Sequence, residues 1–69
     1  MKKISCKKII LILLNANEGA ATETYLKNAC VNMGKDGISG FSDAMFNLYE
    51  NDIADYHEES NMVYLKLFA

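Results

Sequence analysis

The feature that most constrains this chain is a change of hydrophobic period near residue 53. Before it, apolar side chains recur at helical spacing. Leu26, Ala29, Cys30 and Met33 stand at i, i+3, i+4 and i+7, one face of a helix. After it they alternate: Val63, Leu65 and Leu67 fall on one side of an extended chain, Met62, Tyr64 and Phe68 on the other. Helices that all precede strands exclude the alternating pattern of a parallel sheet. They predict an α+β fold of three short helices followed by a C-terminal β-hairpin. With 69 residues, the chain forms one small domain.

Local signals place the elements. Ser5 is a suitable N-cap for a first helix from about Cys6 to about Asn17, with Ile4 and Ile9 as a hydrophobic staple. Ile9, Ile10, Leu13 and Leu14 form its apolar face, and Leu11 and Ile12 widen it enough to predict deep burial. A strand is the competing reading of the run Ile9–Leu14. Gly19 suits the left-handed residue that ends the helix. Thr22 caps the second helix, with Lys27 and Asn28 outward. Gly34 ends it and Lys35-Asp36-Gly37 forms a turn.

The third helix is predicted to start at Ser42, or at Ser39 a turn earlier, with Asp43 in its first turn and Phe41 and Phe46 as a staple. Phe41, Met45, Leu48 and Tyr49 face inward; Asp43, Asn47, Glu50 and Asn51 face outward. The chain leaves through Asn51-Asp52 in a left-handed conformation. Strands over Ile53–His57 and Met62–Phe68 flank a four-residue polar turn, Glu58-Glu59-Ser60-Asn61.

Charge divides the chain. Residues 1–35 hold six lysines and two glutamates; residues 36–69 hold one lysine and seven carboxylates. No arginine is present, so the bidentate fork that reads guanine and phosphate is missing. Such a split points to a polar partner surface. The two cysteines, Cys6 and Cys30, form no CxxC pair, and His57 does not complete a zinc site with them. Two reduced thiols in a cytoplasmic protein are expected, with one disulfide as the alternative. His57 beside Glu58 lacks a nucleophile or an oxyanion site at recognisable spacing, and there is no glycine-rich phosphate loop. No enzyme activity, cofactor or metal is expected. Lys2, Lys3, Lys7 and Lys8 before six apolar residues look like a secretory leader, but the apolar run is short for one and far too short for a bilayer. It reads as the first helix, and no membrane partner is expected.

Three helices and a hairpin resemble a winged helix-turn-helix domain. The residues that carry the resemblance are Ile10-Leu11-Ile12-Leu13-Leu14, Tyr25-Leu26, and Ala44 through Leu48-Tyr49-Glu50-Asn51-Asp52-Ile53, with Asp52 where the superfamily usually has glycine. The resemblance implies that the third helix enters the major groove and the wing touches phosphate. The corresponding positions here, Asp43, Asn47 and Glu50 on the helix and Glu58, Glu59, Ser60 and Asn61 at the wing, include no cation. Carboxylates repel the duplex, so direct DNA binding is disfavoured. The expected contact surface is Asp43, Asn47, Glu50, Asp52, Asp55, Tyr56, Glu58 and Glu59. The expected partner is a basic protein surface of a nucleic-acid-binding complex. In being short and acidic, the chain is similar to phage- and mobile-element-encoded inhibitors, anti-CRISPR proteins among them. The alternative is a winged-helix transcriptional regulator binding DNA as a dimer.

Overall fold

The structure, a computed structural model, describes residues 4–66. It is an α+β fold: α1 (Cys6–Ala16), β1 (Ala20–Thr22), α2 (Glu23–Met33), α3 (Gly37–Glu50), β2 (Ala54–His57) and β3 (Met62–Leu65). The C-terminal hairpin is present as expected, with a turn over Glu58–Asn61 in which Asn61 takes a positive φ of 57°. The expected continuation of β3 to Phe68 lies outside the described residues, as do Lys2 and Lys3.

The sequence pattern does not reveal β1. Ala20, Ala21 and Thr22 are too few to show an alternation, and the two alanines have little β-propensity. They are extended because β3 offers them a partner. β3 is the central strand of an antiparallel sheet in the order β1-β3-β2. Ala21 pairs with Val63, which pairs with Tyr56 on its other side, and this row faces the core. Only one face of β3 is covered: Val63 is fully buried, while Tyr64 on the opposite face is exposed.

The N-caps of α1 and α2 follow the sequence. The Lys8 amide donates to Ser5 Oγ at 3.3 Å and the Tyr25 amide to Thr22 Oγ1 at 3.2 Å. Both α1 and α3 end in the paired hydrogen bonds of a Schellman motif. The Gly19 amide reaches the Leu14 carbonyl at 2.6 Å and Glu18 reaches Asn15. The Ile53 amide reaches Leu48 at 3.0 Å and Asp52 reaches Tyr49. The left-handed exit at Asp52 is as predicted, with φ 57°. At α1 the C′ residue is Glu18, with φ 61°, rather than Gly19, which follows it at 92°.

Several expectations are corrected. α3 starts at Gly37, not Ser42. Its N-cap is Asp36, whose side chain makes no capping bond. Gly37 and Gly40 disguise this first turn. Gly40 is there because α1 lies against it: a Cβ at Gly40 would stand 2.9 Å from Cys6 Sγ. Gly34 ends α2 with φ −80°, not left-handed; it too packs on Cys6 Sγ, 2.6 Å from where a Cβ would be. Phe46 is exposed and makes no staple. Ile12 and Met33 are exposed rather than buried, and Leu13 is half-buried. Ile4 is exposed as well; its carbonyl accepts the Lys35 amide at 2.9 Å and ties the chain start to the α2–α3 turn. The core is built from Ile10, Leu14, Leu26, Cys30, Leu48 and Val63, all fully buried.

Candidate interaction surface

α3 and the β2–β3 hairpin hold the carboxylates singled out from the sequence. Asp43 and Glu50 are exposed on α3 and stand seven residues apart, about 10 Å of helical rise along one face. Phe46 lies between them, three residues from one and four from the other, and is 65% exposed. Ile38, Ser42 and Phe46 form a second exposed stripe at i, i+4 and i+8. α3 is therefore apolar on two sides: Phe41, Ala44, Met45 and Leu48 inward, Ile38 and Phe46 outward. Sequence reasoning missed these two outward residues because it began the helix at Ser42 and assigned Phe46 to a staple. Started at Gly37, the spacing would have shown the second stripe. Asn47, expected outward, is half-buried, and its Oδ1 is out of water with no protein hydrogen-bond partner.

The hairpin contributes Asp52, Asp55, Glu58 and Glu59, all exposed. They are not equally free. Asp52 pairs with Lys66 at 3.2 Å, and this bond and charge hold the lysine above its usual pKa. It is the one ion pair among the described residues. Asp55 Oδ1 accepts the Tyr56 amide at 2.8 Å. Glu58 and Glu59 sit on the turn with no ion pair among the described residues.

Tyr56 is half-buried and its hydroxyl donates to Asn61 Oδ1 at 2.8 Å. Asn61 in turn donates from Nδ2 to Thr24 Oγ1 at 3.3 Å, and its carbonyl accepts the Glu23 amide at 2.9 Å. The turn is thus fastened to the N-terminus of α2, and Tyr56 serves that fastening. Glu23 comes with it. Tyr49 is held above its usual pKa first by burial, then by the negative charge of Glu23, and further by Tyr56 and Asp55. A carboxylate from the basic half of the sequence thus joins the acidic side of the fold.

The other described lysines lie outside α3 and the hairpin. Lys7 and Lys8 are exposed on α1, Lys27 on α2 and Lys35 on the α2–α3 turn. The thiols are free and buried. Burial, reinforced by Cys6, pushes the Cys30 thiol up to about 12, so it stays protonated and unreactive. His57 Nδ1 lies 3.1 Å from Ser60 Oγ, a contact within the turn. Among the described residues no cluster of three or more His, Cys, Asp or Glu side chains is placed to hold a metal ion, and no helix is long and apolar enough to cross a membrane. Compared with known proteins, the chain matches no family model, no curated protein and no solved structure.

Proposed function

We propose that this chain is a small protein-interaction module that docks its acidic side on the basic surface of a nucleic-acid-binding protein and blocks it, as phage- and mobile-element-encoded inhibitors of the anti-CRISPR kind do. The observation that carries the reading is the exposure of Asp43, Glu50, Asp55, Glu58 and Glu59 on α3 and the hairpin, with Lys66 as the one cation there and already paired to Asp52. Unpaired carboxylates around an exposed aromatic have the composition of a docking surface, in which opposed charge speeds encounter and the aromatic anchors the complex. Steric cover of the partner's nucleic-acid cleft is enough for inhibition; no chemistry is required of this chain.

The test starts from immobilised protein and lysate of the native host. A captured nucleic-acid-binding protein, once purified, should lose its DNA in a mobility-shift assay when this chain is added. Captured proteins that keep their DNA would refute the inhibitory reading.

The second reading is a winged-helix transcriptional regulator acting as a dimer. Topology favours it: α2 and α3 are joined by a turn of three residues, and a hairpin whose inner strand also pairs with β1 follows α3. Random duplex DNA at low salt separates the two. A retarded band that salt abolishes belongs to the regulator, and its absence to the inhibitor.

A further inference from the structure

We infer that this chain self-associates head to tail, the outward face of α1 in one copy lying antiparallel on the outward face of α3 in the next. Each face has an exposed apolar residue with charge beside it. On α1, Ile12 is 51% exposed and Lys8 lies one turn before it, next to Lys7. On α3, Phe46 is exposed with Glu50 one turn after it and Asp43 on its other side. Lys8 to Ile12 and Phe46 to Glu50 are both four residues, about 6 Å of rise. Laid antiparallel, Ile12 meets Phe46 while Lys8 meets Glu50. An apolar centre with opposed charge at its rim is the anatomy of a protein interface.

The occupant is a second copy because the chain carries both halves of the complement and keeps them apart. α1 and α3 pack on one another through their buried residues, so their outward faces point away from each other. A molecule cannot satisfy its own pair; two copies can. The contact joins unlike surfaces, so it builds a chain or a ring of copies instead of closing as a two-fold dimer. It needs only this chain, so its outcome is independent of whether a basic partner is captured. Where such a partner exists, it and the second copy compete for α3.

Sedimentation velocity tests it with two exposed-site variants, Ile12→Glu and Phe46→Glu, whose folding is checked by circular dichroism. The wild-type average mass should rise with concentration towards about 1 mM at about 10 mM salt. It should fall at about 1 M, where the Debye length is about 3 Å and the Lys8–Glu50 attraction is screened. Each variant alone should be monomeric, because one face has no complement left. An equimolar mixture should give a dimer and nothing larger, because each variant supplies the face the other lacks. A wild-type monomer throughout, association of either variant alone, or a mixture that stays monomeric would each overturn the inference. If a glutamate variant fails to fold, Lys8→Ala and Glu50→Ala replace the pair, with the same expectations.

Discussion

Glu18→Gly should make this protein more stable. Glu18 is the residue after the C-cap of α1 and has φ 61°, a left-handed conformation that an L side chain adopts at a cost of about 1–2 kcal/mol. Glycine removes that cost but loses about 0.5–1 kcal/mol in added freedom of the unfolded chain. The net gain is about 0.5–1 kcal/mol, or a rise in Tm of about 2–8 °C for a domain of this size. Glu18→Ala is the control. It removes the same unfavourable charge from the helix C-terminus but keeps the Cβ, so the difference between the two variants isolates the backbone term. Asp52→Gly relieves the same strain at the end of α3, where φ is 57°, but also loses the exposed pair with Lys66. Losing that pair offsets part of the relief, so the gain at Asp52 should be smaller than at Glu18. Thermal melts by circular dichroism measure all three. If Glu18→Gly melts no higher than Glu18→Ala, the left-handed exit of α1 is wrong.

Two further outcomes follow from the corner where α1 meets the α2–α3 turn. Gly34→Ala places a Cβ against the Cys30 carbonyl and Cys6 Sγ and should cost about 1–3 kcal/mol in urea denaturation; Cys6→Ala should rescue only part of it, because the carbonyl cannot move aside. Cys30 should make the protein alkali-sensitive. Below pH 9 its thiol is neutral in both states; from its ordinary value of 9.0 up to about 12 the unfolded chain gives up the proton and the folded one does not, so stability falls as pH rises through that window. Tyr49, also shifted upward, acts in the same direction. Urea midpoints at about pH 7.5 and about pH 10.5 should therefore differ less in Cys30→Ala than in wild type.

The parts of the fold legible in the sequence are those set by local chemistry. Ser5 and Thr22 are caps because a hydroxyl there meets a free amide whatever the tertiary context. The Glu58–Asn61 turn and the left-handed Asp52 are local in the same sense. What escaped reading depends on packing. β1 exists because β3 pairs with it, and the first turn of α3 holds two glycines because Cys6 needs the space at one of them. Of the candidate site, the carboxylates could be read because charge has few uses but exposure. Phe46 escaped because its stripe with Ile38 shows only when α3 starts at Gly37, a start set by packing, and the use of Tyr56 to fasten the turn depends on Asn61 reaching α2.

The most direct measurement is partner capture by the double charge reversal Glu58→Lys with Glu59→Lys. Both side chains are exposed and without an ion pair among the described residues, so the thermal melt should stay within about 0.5 kcal/mol of wild type. On the proposed reading, capture of a basic nucleic-acid-binding partner should be lost. A variant that melts unchanged and still captures the partner at wild-type affinity would contradict the acidic docking surface outright.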